Sequence, residues 1–93
     1  MAREKLSTEE ITENLEELDG WETEDEKLKK RFEFENFAEA LDFVNKVGEI
    51  AEEHDHHPDI TFGWGYAEFE ITTHDAGGLT DNDFELALEI DEI

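Results

Sequence analysis

The residues best suited to chemistry form one spaced set in the second half of the chain. Its members are Glu52, His56, His57, Pro58, His74 and Asp83. Imidazole titrates closer to neutral pH than other side chains, so it donates and accepts protons without large adjustment by its surroundings. Three histidines and two carboxylates beside one pocket would suit acid–base chemistry on a small heterocycle, with Phe62 or Trp64 as an apolar wall.

Several segments of the chain must come together to assemble this set. Pro58 restricts His57 to extended geometry and ends any helix that runs through Glu52. His74 follows an alternating strand, and Asp83 falls in the first turn of a later helix. The sequence therefore predicts a site at a helix end, a loop, a strand end and a helix start.

A metal site is the competing interpretation of the adjacent histidines. The spacing of Glu52 to His56 and His57 lacks the HExxH order of zinc proteases, and the chain has no cysteine. We therefore predict no metal. Taken alone, His54 is expected to be a surface residue and Asp83 an ordinary carboxylate of a helix first turn.

Helix signals occur at three places. Ser7 and Glu10 form a capping box that opens a first helix, and Asp19–Gly20 is expected to end it. Asn36 caps a second helix that reaches Glu53 or His54. Its wide apolar stripe predicts packing on a sheet and on a second subunit, and consists of Phe37, Leu41, Phe43, Val44, Val47, Ile50 and Ala51. Thr80 caps a third helix, and we expect residues 84–90 of that helix, with part of the second helix, to form an interface between subunits.

Four strands are predicted between these helices. Trp21 begins a short strand with a turn at residues 23–26, and residues 28–34 form a second strand. Ile60, Phe62 and Trp64 alternate in a third, which a type II′ turn at Gly65–Tyr66 joins to a fourth over residues 67–74. The order α-β-β-α-β-β-α predicts an α+β fold, with a single four-stranded antiparallel sheet and helices packed on one face.

Acidity dominates the composition, with 29 Asp and Glu against 7 Lys and Arg and a net charge of -22. This charge argues against nucleic-acid and anionic-membrane partners. The acids interleave with periodic apolar residues, so we expect an acidic shell around an ordinary core, as in halophilic proteins; an acidic mesophilic protein is the alternative. The cationic run Lys27–Arg31 is expected to be a solvated sheet edge.

At 93 residues the chain is expected to form one domain, residues 1–93, with a thin core that oligomerisation would support. The absence of cysteine, and of an apolar leader or membrane-spanning run, favours a soluble cytoplasmic protein.

The sequence resembles the pterin-4a-carbinolamine dehydratase family, whose animal members are also called the dimerisation cofactor of a homeodomain transcription factor. The resemblance runs from the first helix to the last. It rests on Glu52, His56-His57-Pro58, Thr73-His74, and Gly78-Leu79-Thr80 followed by Asp83. It implies dehydration of 4a-hydroxytetrahydropterin to quinonoid dihydropterin, without a cofactor, by a homodimer or homotetramer.

The resemblance also implies roles for individual residues. His56 and His74 match flanking histidines that we cast as general acids, and His57 matches a central histidine that binds substrate and accepts a proton. Asp83 would orient a histidine. The substrate-binding positions would be Glu52 at the N–H edge of the pterin, Pro58, the backbone of Thr73, and Trp64.

Two departures and two other functions remain to be weighed. Ile60 stands where many relatives carry tryptophan, and Trp64 stands where they often have tyrosine and could compensate. The alternatives are a non-catalytic dimerisation and interaction module, and a pterin-binding protein in molybdopterin metabolism. The complete set of His56, His57, His74 and Asp83 favours catalysis.

The acidity generates a testable prediction about stability. Repulsion among the carboxylates destabilises the compact state, and the Debye length falls from about 10 Å at 0.1 M salt to about 3 Å at 1 M. We therefore expect a higher Tm in molar KCl than in dilute buffer, measured by circular dichroism. Equal Tm values across this range would contradict the halophilic interpretation.

Overall fold

The protein was analysed as a computed structural model, which describes residues 4–93. The elements are α1 (Thr8–Leu15), β1 (Glu22–Glu24), β2 (Lys27–Glu33), α2 (Phe37–His54), β3 (Asp59–Gly63), β4 (Tyr66–Ile71), a 3₁₀ turn (His74–Ala76) and α3 (Asp81–Asp91). The strands form one antiparallel sheet in the order β1-β2-β4-β3. The predicted fold class and element order are confirmed.

The core lies between one face of the sheet and the helices. On β4, Ala67, Phe69 and Ile71 are fully buried, while Glu68 and Glu70 alternate with them on the outer face. β2, α2, α3 and the segment before α3 contribute further buried side chains. These are Leu28, Val47, Ala51, Leu79, Phe84, Leu86, Ala87 and Ile90. No helix within residues 4–93 is long and apolar enough to cross a membrane.

The cationic run lies on β2, which is an inner strand between β1 and β4. The interpretation of this run as a sheet edge is therefore wrong for residues 27–29, which pair with β1 on one side and lie in β2 beside β4 on the other. On the outer face Lys29 contacts Glu24 and Glu70, and Arg31 contacts Glu68. The hydrogen bond from Lys29 lowers the pKa of the Glu24 carboxyl. These cations neutralise neighbouring carboxylates across the strands.

Lys30 faces the opposite way, toward the helices. Its ammonium lies 2.9 Å from Asp91 Oδ1, at the end of α3, and donates to the Asp19 carbonyl oxygen at 2.5 Å. Asp91 also accepts from the indole N–H of Trp21, and the Lys30 ammonium lies 4.6 Å from the centre of the Phe32 ring. This half-buried cluster ties β2 to the end of α3.

Several predicted boundaries are wrong. The fourth strand ends at Ile71, so His74 lies in the 3₁₀ turn and not at a strand end. The first helix ends at Leu15, ahead of Asp19–Gly20. The β1–β2 turn consists of Asp25 and Glu26 alone, since Glu24 already pairs with Lys27. The β3–β4 turn is Trp64–Gly65, because Gly63 pairs with Tyr66.

The glycine of this second turn therefore occupies the second central position, where its φ is +81°. A positive φ there suits a type II turn, whereas the predicted type II′ turn needs glycine first.

The two lysines on opposite faces of β2 give a prediction. Lys30→Met should lower the free energy of unfolding by about 2 kcal/mol, because it leaves the half-buried Asp91 carboxylate without its cationic partner. Lys29→Met is the matched control and should cost much less, because its partners are solvated. Urea unfolding in molar KCl measures both. Equal losses for the two variants would contradict the structural role of Lys30.

Candidate active site

The first wall of the site is built where α2 ends. Asp55 adopts the left-handed conformation, with φ 50° and ψ 42°. Its N–H donates to the Glu52 carbonyl oxygen at 3.3 Å, and the N–H of His56 donates to the Ala51 carbonyl oxygen at 3.1 Å. This pair of bonds is a Schellman motif, which closes a helix and reverses the chain. The reversal presents His56 and His57 directly after the helix.

The second wall follows β4. Thr73 forms an isolated bridge with Gly78, and its carbonyl oxygen also accepts from Ala76 and Gly77. The hydroxyl of Thr72 donates to the Glu26 carbonyl at 2.7 Å, which anchors this segment to the β1–β2 turn. The resulting tight loop presents His74.

The third contribution comes from the start of α3. The Asp83 side chain is 0% exposed, yet it carries a carboxylate. Its Oδ1 lies 2.5 Å from His56 Nε2, and its Oδ2 accepts from the Thr73 hydroxyl at 2.9 Å and the Thr80 N–H at 2.8 Å. Donors from three segments therefore satisfy this buried anion.

The contact with Asp83 decides how His56 can act. An ionised carboxylate only accepts hydrogen bonds, so Nε2 of His56 must carry the proton in this contact. In the neutral ring Nδ1 is then a proton acceptor, and His56 acts as an acid only when both nitrogens are protonated. The side chain is 12% exposed, so the ring is largely fixed by protein contacts.

The other two histidines are more open to solvent. His57 Nε2 contacts Glu52 Oε2, and both side chains are exposed. His74 is exposed as well. His54, expected on the surface, is partly buried and contacts Glu89 of α3 instead.

These segments enclose an open concavity of about 280 Å³, near the lower end of the usual range for ligand sites. It is lined by Asp55, His56, His57, Thr72, Thr73, His74 and Asp75. Three predicted histidines and Thr73 therefore share one cavity, while Asp83 lies behind His56. Within residues 4–93 no three His, Asp or Glu side chains are grouped to hold a metal ion.

The remaining predicted residues are not among those that line the concavity. Glu52 contacts His57 but is not among the residues lining the concavity, and Pro58 leads directly into β3. Trp64 is 73% exposed in the β3–β4 turn, at the opposite end of β3 from Pro58. Within one subunit Trp64 therefore does not wall this concavity.

Thr80 is the residue that sequence analysis did not place at the site. Its helix-capping position was predicted, but its hydroxyl lies 2.9 Å from that of Thr73. The loop closed by the bridge between Thr73 and Gly78 brings these two side chains together. Spacing along the sequence gave no signal for this contact.

Comparison with known proteins identifies the family. Residues 4–93 match the family model for pterin 4 alpha carbinolamine dehydratase. The chain belongs to this family. In this family member His56, His57, Thr73 and His74 line one concavity, and Asp83 lies behind His56.

Relatives from distant organisms align along most of the chain. A protein from Rubrobacter xylanophilus is 53% identical, with 95% of this chain and 83% of the relative covered. One from Sulfolobus acidocaldarius is 47% identical, with 96% and 98% covered. Both are named pterin-4-alpha-carbinolamine dehydratase, with a qualifier that marks the assignment as provisional.

Two solved structures share the fold. One is a transcriptional coactivator/pterin dehydratase from Brucella melitensis, at TM-score 0.90 and 30% identity, covering 95% of this chain and 96% of that one. The other is a pterin dehydratase-like protein described as a RuBisCO assembly factor in the alpha-carboxysome, at TM-score 0.65 and 25% identity. It covers 77% of this chain and 83% of that one.

Proposed function

We propose that the protein dehydrates a 4a-hydroxytetrahydropterin to quinonoid dihydropterin and water. The observation that carries this proposal is the contact of His56 with the buried Asp83 carboxylate, beside a concavity that His57 and His74 also line. Family membership supports the substrate class. The lining supplies several proton-transfer groups at a size suited to a small heterocycle.

The reaction needs an acid and a base on different parts of one ring system. The C4a–O bond breaks, and the departing hydroxyl takes up a proton to leave as water. The N5 proton is lost, and the electron pair of the N–H bond becomes part of the new C4a=N5 double bond. The proton lost from N5 balances the proton taken up by the hydroxyl, so water is the only by-product. No redox partner is required.

The contacts support distinct roles for the histidines. His56 and His74 are proposed as general acids, and Asp83 supports this role of His56 by orienting its ring through the Nε2 contact. His57 is proposed as the proton acceptor, and its contact with Glu52 orients the imidazole as carboxylate partners commonly do. Glu52 and Pro58 remain proposed substrate contacts beside it.

Stopped-flow turnover of synthetic 4a-hydroxytetrahydropterin in molar KCl tests the proposal. His57→Ala should reduce turnover most, with smaller losses for His56→Ala and His74→Ala, because single acid–base groups contribute about 10²- to 10⁴-fold. His54→Gln is the matched control and should keep the wild-type rate. Turnover should also persist in EDTA.

Wild-type rates in all three alanine variants would contradict the catalytic assignment. Loss of activity in EDTA that zinc restores would contradict the metal-free mechanism. Tight pterin binding without any turnover would instead favour a pterin-binding role, such as one in molybdopterin metabolism.

A partner-binding role is the second candidate. It is favoured by the descriptions of the two structural relatives, a transcriptional coactivator/pterin dehydratase and a RuBisCO assembly factor. The charge of -22 argues against direct contact with DNA, so any such partner would be a protein. Retained partner binding in a His57→Ala variant without turnover would separate this role from catalysis.

We further propose that the protein is a homodimer or homotetramer, as the family resemblance implies. One flank of α2 carries Phe37, Leu41, Val44 and Gly48 at successive spacings of four, three and four residues. Phe37 and Leu41 are exposed apolar side chains, and Val44 is half-buried. Such spacing is typical of a helix that packs against another helix.

Gly48 adds to this argument. A glycine inside a helix costs about 1 kcal/mol relative to alanine, yet a Cβ at this position would meet nothing within 4 Å. The subunit itself therefore does not require glycine here, whereas close approach of a second helix would. By contrast, the predicted interface around Phe84 to Ile90 of α3 is largely used inside the subunit, and Leu88 is the exposed apolar side chain there.

The assembly prediction uses this glycine. Gly48→Leu should stabilise the helix of an isolated subunit but weaken association, because the side chain blocks close approach of a second α2. Glu53→Gln, on the solvent side of the same helix, is the control. Light scattering in molar KCl should give a dimer or tetramer for wild type and the control. A wild-type mass near 10.8 kDa would refute the proposal.

A further inference from the structure

Two threonine hydroxyl groups, of which only that of Thr80 is on a fully buried residue, form a hydrogen-bonded chain behind the His56–Asp83 contact. Thr80 is fully buried, and its hydroxyl lies 2.9 Å from the hydroxyl of Thr73. The Thr73 hydroxyl in turn donates to Asp83 Oδ2 at 2.9 Å, and the same oxygen accepts from the Thr80 N–H. Asp83 Oδ1 is left to His56.

The direction of this chain follows from the donors available. The Asp83 carboxylate only accepts, so the one proton of the Thr73 hydroxyl points at Asp83. The bond between the two threonines must therefore be donated by Thr80. Thr73 cannot turn its proton elsewhere without leaving a buried anion short of a donor, which is costly.

We propose that Thr73 and Thr80 are positioning residues for the dehydration reaction, acting through Asp83 on His56. Their hydroxyls hold Oδ2 in place, so that Oδ1 stays aimed at the imidazole and fixes the proton on Nε2. This inference rests on the proposed function, since it assigns a purpose to the orientation of a catalytic histidine. It gives the Thr73 side chain a different role from substrate contact.

The backbone of Thr73 supports the same conclusion. Its N–H donates to the Gly78 carbonyl at 3.2 Å, and its carbonyl oxygen accepts from Ala76 and Gly77 at 3.1 Å each. Both polar backbone groups and the hydroxyl proton are therefore engaged inside the protein. The residue lines the concavity, but its hydrogen bonds are directed at the loop and at Asp83.

The kinetic test separates positioning from substrate binding. Thr73→Val should lower kcat about tenfold and leave KM within about twofold, because the loss of a hydrogen bond to an ion removes orientation and not a substrate contact. Thr80→Val should lower kcat less. Thr73→Ser and Thr80→Ser keep the hydroxyls and should restore most of the rate. A raised KM with unchanged kcat would overturn the proposal.

A second readout does not depend on turnover. In ¹⁵N-labelled protein, the His56 Nε2 proton should exchange slowly with water, and Thr73→Val should speed this exchange about tenfold. Thr72→Val is the matched control, because that hydroxyl donates to the Glu26 carbonyl instead, and it should leave the exchange rate unchanged. Unchanged exchange in Thr73→Val would overturn the inference.

The two readouts also distinguish this inference from the proposed function. An inactive wild-type protein with the expected proton exchange would contradict the dehydratase proposal and retain the hydroxyl chain. If Thr73→Val does not fold, the wild-type spectrum still decides. A slowly exchanging Thr73 hydroxyl proton with a cross-peak to Thr80 supports the chain, and a hydroxyl that exchanges as fast as exposed threonines refutes it.

Discussion

The contact between Asp83 and its three donors is the constraint on which the site depends. A carboxylate without exposure to water is stable only if hydrogen bonds replace its hydration. The donors come from the segment after α2, the segment after β4 and the start of α3. These segments cannot move apart without leaving the carboxylate buried and short of donors, so satisfying one buried anion also assembles the proposed catalytic site.

Helix and loop ends supply the local geometry for this convergence. The Schellman motif at Asp55 turns the chain sharply after α2, which brings His56 back toward α3. The bridge between Thr73 and Gly78 makes a similarly tight reversal before α3 begins. Backbone hydrogen bonds therefore hold the histidines on short, fixed segments, which suits their proposed role in proton transfer.

Charged side chains are arranged differently on the two faces of the sheet. The half-buried pair of Lys30 and Asp91 fixes the end of α3, far along that helix from Asp83. The outer face of the sheet instead pairs lysine and arginine with glutamate in a solvated array. This strongly acidic chain thus places several of its few cations where they offset carboxylates across strands or near the core, and, of the acids in residues 4–93, only Asp83 is fully buried.

The sequence by itself determined the fold class, the order of the elements and the histidine set. Period-two alternation at Ala67, Phe69 and Ile71, and the caps at Ser7, Asn36 and Thr80, are local signals, so they could be interpreted without long-range information. The resemblance of the motifs to the family implied a reaction class for the same residues.

Tertiary structure decided the contacts that depend on pairing and register. Alternation with Leu28 and Phe32 places Lys30 on the inner face of β2, but its partner Asp91 lies 61 residues away, so local pattern does not reveal the contact. Trp64 was expected to wall the pocket, but it lies in the β3–β4 turn, at the opposite end of β3 from Pro58. The hydroxyl chain from Thr80 through Thr73 to Asp83 is a three-dimensional contact between segments, and spacing along the chain carries no information about its direction.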